Sequence, residues 1–334
     1  MRAAAGARVR LLIGLPCLAL PYRAVPCRAV RCSGAGGSVS VARMPLALIT
    51  GASTGIGRAS ALRLVRGGWT VLAGVREQAA GESLQAEAGG AGTLLPLILD
   101  VTNAEHLAAA TARVQEEIAR AAGPHGGLDG LVNNAGIGVG GPLELIGEED
   151  VRRQFDVNVF GQLAVTRALL PALRAAHTPR GTGGRIVFIS SIGGRVAMAF
   201  TAPYAASKHA IEAFADALRV ELHTSGVKVS LIEPGSVATP IWDKGRAEAQ
   251  GVRIPPELAA QYGHVPAAMD KTLQQTASRG VPAEQVAEAV ERALTSPRPR
   301  ARYVIGRDAR AMLIARRLLP DHVFDRVAKR ALGV

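Results

Sequence analysis

From Leu46 to Ile305 the chain repeats one alternation: a short apolar run, a turn rich in glycine, asparagine, serine or proline, then a stretch with helical spacing. Apolar runs occupy Leu46–Thr50, Thr70–Gly74, Thr93–Leu99, Leu128–Val132, Arg185–Ile189, Lys228–Ile232 and Arg302–Ile305. Helical patterns lie between them, over Ala59–Arg66, Gln78–Ala88, Ala104–Ala121, Val151–His177, Tyr204–Ser225 and Ala283–Leu294. Runs this short and this apolar suit strands buried on both faces, and the helical stretches suit crossovers between parallel neighbours. The pattern predicts an α/β fold, a doubly wound parallel β-sheet with helices on both faces and no internal repeat. With 334 residues, 48% of them hydrophobic, the chain can bury such a core in one domain. Ligands of such sheets collect at the carboxyl ends of the strands.

Those ends carry the polar residues that matter. The first run passes directly into Gly51-Ala-Ser-Thr-Gly55-Ile-Gly57-Arg58 and then a helix. Glycines between a strand and a helix N-terminus let the backbone approach a phosphate, although the spacing here is G-x-x-x-G-x-G and not the commoner G-x-G-x-x-G. The second run ends on Val75-Arg76; an arginine there favours a 2′-phosphate over a free ribose hydroxyl, the alternative being a solvated loop charge. Asp100 closes the third run, where it either accepts from an adenine amino group or caps the helix beginning near Ala104. The fourth leads into Asn133-Asn134-Ala135-Gly136, suited to a ribose or to a neighbouring loop. Asn158, set among Phe155, Val157, Val159, Phe160 and Leu163, is either a helix-bending structural amide or the holder of a catalytic water. The fifth run delivers Ser190 and Ser191, with Tyr204 and Lys208 beyond them. If Tyr204 opens a helix, a spacing of four puts Lys208 on the same face. An ammonium beside a phenol favours the phenolate, which brings the phenol toward working pH and fits it to move the proton of an alcohol.

The net charge of +12 sits at the two ends. Residues 1–43 hold seven arginines and no acid, residues 296–334 carry a net +7, and residues 44–295 a net −2. A nucleic-acid site on the middle of the chain therefore has no support. Cys17, Cys27 and Cys32 all precede residue 44, so the remainder holds neither a disulfide nor a cysteine metal site. The apolar run Leu11–Leu20, broken by Pro16, is too short to span a bilayer. Residues 1–43 are set outside the fold, as a secretory or transit leader or as an extension ahead of a start at Met44. The catalytic domain is expected over residues 44–306. In residues 307–334, Met312-Leu-Ile-Ala and Leu318-Leu319 beside Arg310, Arg316 and Arg317 form either an amphipathic helix lying on an anionic membrane surface or a cover for the pocket or a subunit contact.

Together, Thr50-Gly-Ala-Ser-Thr-Gly-Ile-Gly57, Asn133-Asn-Ala-Gly136, Asn158, Ser191, Tyr204-Ala-Ala-Ser-Lys208 and Pro234-Gly235 resemble the short-chain dehydrogenase/reductase family over about residues 45–240. The resemblance implies a Rossmann-type sheet of about seven strands and NAD(P)-dependent interconversion of an alcohol and its carbonyl. It implies Tyr204 as general acid/base, Lys208 as the cation that lowers its pKa and holds the nicotinamide ribose, Ser191 as the group positioning the substrate oxygen, and Asn158 as holder of a water. It sets Gly51, Ser53, Thr54, Gly55, Ile56 and Gly57 along the phosphates, Asp100 and Val101 at the adenine, and Asn134, Ala135 and Gly136 along the ribose. Val237 and Thr239 come near the carboxamide, with Pro234 and Gly235 also counted as cofactor-binding. Many NADP-preferring members have a basic residue where this chain has Thr54, so the preference for NADP(H) over NAD(H) rests on Arg76. The resemblance also implies a homodimer or homotetramer. Val196, Met198, Phe200, Ile241, Trp242 and Tyr262, in the segments 195–203 and 241–280 that set the substrate, lean toward a lipophilic alcohol or ketone such as a steroid, a retinoid or an acyl chain. The location expected is cytoplasmic, or an organelle or the exterior if residues 1–43 are a leader. A catalytically silent NAD(P)-binding sensor or scaffold is the alternative, and the intact set Asn158, Ser191, Tyr204 and Lys208 argues against it.

Overall fold

A computed structural model of the protein describes residues 44–122, 126–178, 181–239 and 254–332. Seven strands form one sheet: β1 Leu46–Ile49, β2 Thr70–Val75, β3 Thr93–Ile98, β4 Gly130–Asn133, β5 Arg185–Ile189, β6 Lys228–Pro234 and β7 Arg302–Ile305. Their order is β7-β6-β5-β4-β1-β2-β3, and every neighbouring pair is parallel. The alternation in the sequence is thus a Rossmann-like α/β sheet. After β3, at one edge, the chain returns to lay β4 beside β1. The strand order reverses there, and the crevice at the carboxyl ends of β1 and β4 is the natural ligand position of such a sheet.

Side chains of each strand alternate between two cores, as a period of two requires. Leu46 and Leu48 of β1 join one cluster, with Val114 and Ile118 of helix α3 (Ala104–Ala122), Leu169 of α5 (Gln162–Arg174) and Ile211 of α6 (Ala202–Glu221). Ala47 and Ile49 join the other, with Ala61 and Leu64 of α1 (Gly55–Arg66) and Val286 and Val290 of α8 (Ala283–Thr295). Helix α2 spans Gln78–Glu87. Pro96 lies within β3, an edge strand, where the missing ladder donor is tolerated.

Four local predictions need correction. The single helix expected over Val151–His177 is instead α4 (Glu148–Phe155), a π-helical turn (Asp156–Gly161) and α5. Tyr204 does not open α6; Ala202 does, with Pro203 in the first turn where its missing N–H has no partner to lose. β6 does not end at Ile232 but runs to Pro234, because β7 continues alongside it and pairs Val304 with Glu233 and Ile305 with Pro234. Past a short turn at Ala259–Tyr262 and α7 (Val265–Arg279), the segment read as a tail forms two helices, α9 (Arg307–Leu318) and α10 (Asp321–Leu332), divided at Leu319-Pro320. Ile241 and Trp242 lie outside the described residues.

Candidate active site

Where β1 and β4 end, a set of uncharged hydrogen bonds fixes the backbone. The buried Thr50 hydroxyl accepts from the amides of Asn134 and Ala135, each at 3.0 Å. The Asn134 side chain returns the contact, donating to the carbonyls of Thr50 (3.0 Å) and Gly51 (2.9 Å). Of the two options left open for this asparagine, the neighbouring loop is therefore the one its amide serves. Gly51 turns at φ +65° and Gly55 at φ +54°, a region that side chains disfavour. A Cβ at Gly57 would collide with the Gly51 carbonyl, so the start of α1 and the end of β1 lie in direct backbone contact. Thr54, at the head of α1, makes no side-chain cap, which leaves backbone amides of the first turn available to an anion.

Behind the β4 loop stands a ladder of buried amides. Asn158, in the π-turn, accepts from the Ile137 N–H (2.8 Å) and donates to the Ile137 carbonyl (3.0 Å) and to Ser207 Oγ (3.2 Å). Gln154 accepts from the Val139 N–H at 2.6 Å and donates to the Ile137 carbonyl at 2.9 Å. Gln162 donates to the Ala135 carbonyl at 2.7 Å, and Thr166 accepts from Asn133 at 2.8 Å. All four are fully or almost fully buried. Their spacing of four is the sequence signal of the set, from which Asn158 alone stands out by its apolar neighbours. In an ideal α-helix each step of four overshoots a full turn by about 40°; the wider π-turn takes up part of that drift. Both amide hydrogens of Asn158 are used structurally.

The third group joins β5 to α6. Ser191 accepts from the Gly193 N–H at 3.0 Å, and its hydroxyl lies beside Tyr204, both side chains bordering Gly193. Ser190 is buried and lies toward Glu212, so Ser191 is the serine at the tyrosine. Gly193 and Gly138 flank the phenol ring; a Cβ would come to 3.3 Å and 3.8 Å from its atoms. Lys208, 4% exposed, donates to the Ile189 carbonyl at 2.8 Å, with its nitrogen 5.8 Å from the centre of the Tyr204 ring. Ser207 ties the first turn together by donating to the Tyr204 carbonyl at 2.7 Å. The titration of Tyr204 departs from the prediction: burial raises the phenol above its usual range, against the opposing effect of the Ser191 hydroxyl. Burial also pushes Lys208 down to about 8, while the Glu212 carboxylate holds it up.

The remaining predicted residues line the same rim. Arg76 is exposed at the end of β2. It faces Asp100, whose carboxyl burial would raise; hydrogen bonds from Thr102 and the charges of Arg76 and His106 overcome this and lower it. Asp100 does not cap α3. Asn103 does, accepting from Glu105 (2.8 Å) and His106 (3.0 Å), while Asp100 accepts from the Thr102 N–H and hydroxyl. Val101 is buried against Gly161 of the π-turn. Ser53, Ile56, Gly136 and Thr239 are half-buried at the strand ends, whereas Pro234 and Val237 are buried. Asp308 of α9, not singled out in the sequence, accepts from the Ser236 N–H at 2.7 Å and fills the space where a Gly235 side chain would lie.

A seven-stranded parallel sheet with a glycine turn at its switch point and a Ser-Tyr-Lys group beside it defines a nucleotide-binding α/β protein. The short chain dehydrogenase family matches residues 45–250, and the chain belongs to that family of oxidoreductases. It is 34% identical to an NADPH-dependent 3-dehydrocapnine reductase of Ornithobacterium rhinotracheale, over 85% of this chain and 96% of that protein. It is 36% identical to retinol dehydrogenase 5 of Mus musculus, over 84% of this chain and 86% of the relative. A short chain dehydrogenase/reductase from Burkholderia phymatum, solved in complex with NAD, is 27% identical, with a TM-score of 0.66 over 82% of this chain and 93% of that one.

Proposed function

We propose that the protein interconverts an alcohol and its carbonyl by hydride transfer, with NADP(H) preferred over NAD(H). The observation that carries this reading is the Ser191–Tyr204 hydroxyl pair beside buried Lys208, next to the glycine turn. The turn fits a dinucleotide: its backbone is crowded against β4, and the amides of the first turn of α1 are free of a side-chain cap. When bound, the nicotinamide supplies or accepts the hydride. Tyr204 gives its proton to the substrate oxygen in reduction and takes it back in oxidation. Ser191 holds that oxygen, donating a hydrogen bond while its own oxygen accepts from Gly193. The Lys208 ammonium, on the inner side of the ring, stabilises the charge that develops on the phenolate. Asn158 keeps the Ile137 loop against the site. Exposed Arg76 at the end of β2 is the group for a 2′-phosphate, and the NADPH dependence named for the Ornithobacterium reductase agrees with it.

The substrate is lipophilic in this reading. Met198 is 45% exposed, Phe200 is half-buried at φ +63° with its carbonyl accepting from the Gly141 N–H, and Met269 of α7 faces Gly140, so two apolar segments meet the loop after β4. The named activity of the mouse retinol dehydrogenase agrees with a retinoid-like molecule. Exposed Phe160 and Phe214 supply a face for a homodimer or homotetramer. Ile314 and Leu318, exposed beside Arg310 and Arg317 on α9, supply one for an anionic membrane surface; deletion of 308–334 should then abolish binding to anionic liposomes. Among the described residues no helix is long and apolar enough to cross a membrane. The test of function is a panel of ketones, aldehydes and alcohols with the full chain, followed by the absorbance of the reduced nicotinamide. Turnover of retinaldehyde or ketosteroids above that of sugars is expected. Cofactor binding with no turnover across the panel would favour a silent sensor.

A further inference from the structure

Behind Lys208 lies a charge cluster that the proposed chemistry leaves unused. Glu212, one turn along α6, and Glu233, in β6, are 5% and 0% exposed. Both lean on one donor: Arg302 Nε of β7 is 3.0 Å from Glu212 Oε2 and 2.9 Å from Glu233 Oε1. Arg195, in the loop after β5, lies 3.1 Å from the same Glu233 oxygen. The far end of Arg302 meets Asp216 at 2.7 Å, as does Arg219. The other two oxygens, Glu212 Oε1 and Glu233 Oε2, are buried with no hydrogen-bond partner among the described residues. Two carboxylates buried this way destabilise the fold relative to well-packed neutral side chains. Their presence calls for a reason beyond stability.

The reason lies four residues back on the same helix face. Deprived of water, the Lys208 ammonium falls to about 8, and Glu212 is the charge that opposes the fall. Burial raises Glu212 itself, Glu233 raises it further, and Arg302 holds it down. Arg302 thus places one guanidinium between two buried carboxylates behind the lysine and offsets their repulsion. Glu212 is the charge that acts on Lys208; behind it stand Asp216 on the same helix, Glu233 from β6, Arg302 from β7 and Arg195 from the β5 loop, with Asp308 of α9 at Gly235.

We propose that Glu212 is a positioning residue for the reaction, its buried carboxylate, backed by Arg302 against Glu233, holding the Lys208 ammonium charged beneath the Tyr204 ring. The inference rests on Lys208 acting as a cation in the reaction, as proposed above. Without Glu212, the lysine would lose its proton near neutral pH, and the support it gives to the phenolate would go with it.

The chain contains five lysines, so Cε labelling with carbon-13 gives a readable NMR titration of the full chain, with the Lys208 signal assigned by its loss in Lys208→Met. Glu212→Gln, which keeps shape and removes charge, should lower the Lys208 midpoint by about one pH unit or more. The alkaline fall of kcat should move down by the same amount. Glu212→Asp should lie between wild type and Gln. An unmoved midpoint in Glu212→Gln, whatever happens to melting temperature, would overturn the proposal. If that variant does not fold, Glu212→Asp decides it in the same way: a smaller drop supports the proposal and an unchanged midpoint overturns it. Full turnover by Lys208→Met would sink the role of Lys208 and this inference together; lost turnover with an unmoved midpoint would sink the inference alone.

Discussion

Where β1 meets β4, neutral groups close on one another: Thr50 takes two amides, Asn134 returns two bonds, and Gln154, Asn158 and Gln162 bind the loop that follows. Where β5 and β6 meet α6, the same sheet buries Lys208, Glu212 and Glu233 and leaves two carboxylate oxygens without partners among the described residues. The first region pairs most of its buried polar groups, and the oxygens it leaves without a partner among the described residues, Asn133 Oδ1 and Gln162 Oε1, belong to neutral amides, which cost far less to bury than charges. The second is held against its own preference by the rest of the fold, as strained or desolvated functional sites usually are. The comparison separates a region that shapes the site from one that is arranged for proton chemistry. Substitutions in the two should fail differently.

The largest contrast is expected at Lys208. Lys208→Met should lose at least about 10²-fold in turnover, the range of acid/base assistance. Its effect on stability has a sign fixed by the depressed pKa. Between about 8 and its unfolded value, the unfolded chain holds a proton on Lys208 that the folded chain has released. The wild type therefore gains stability across that window as pH rises, by up to about 3 kcal/mol. Urea unfolding of both proteins at the two ends of that window should show this rise in the wild type minus Lys208→Met difference. A flat difference would mean that the lysine is not desolvated as described.

A middle-sized effect belongs to the neutral region. Asn134→Ala strands the carbonyls of Thr50 and Gly51, which should destabilise the protein by about 2–3 kcal/mol and weaken cofactor binding, with proton transfer itself unaffected in the bound state. Denaturant midpoints would reveal it; unchanged stability would break the view that this region shapes the site. The smallest effect is at the rim. Arg76→Ala should weaken NADPH binding about tenfold and leave NADH unchanged, as loss of one exposed charge-assisted contact implies. Fluorescence titration with each nucleotide checks it, and equal loss for both would remove Arg76 from the recognition of the 2′-phosphate.

How much of this was legible follows from what sequence encodes well. The strands read clearly because each is a short apolar run buried on both faces, and the glycine turn because only glycine tolerates positive φ and close backbone contact. Tyr204 and Lys208 read clearly because a spacing of four is a geometric statement about a helix. The direction of the Tyr204 shift is not legible, since spacing gives proximity but not burial: burial raises the phenol, and the nearby ammonium is engaged by Ile189. The π-turn was illegible for a similar reason. Its extra residue is stabilised by tertiary bonds from Asn158 to Ile137 and Ser207, which no local pattern announces. Glu212, Glu233 and Arg302 come from three elements far apart in the chain, and only the order of the strands brings them together.

The most direct test of the account is Tyr204→Phe, with NADPH binding and turnover measured on the same preparation. Removal of one hydroxyl leaves the ring packed between Gly138 and Gly193 and leaves the glycine turn untouched. Cofactor affinity within about twofold of wild type, with turnover reduced by about 10²–10⁴, is the predicted outcome. Turnover equal to wild type would contradict the assignment of Tyr204 as the proton donor, and with it the reading of the Ser191–Tyr204–Lys208 group as the reactive centre.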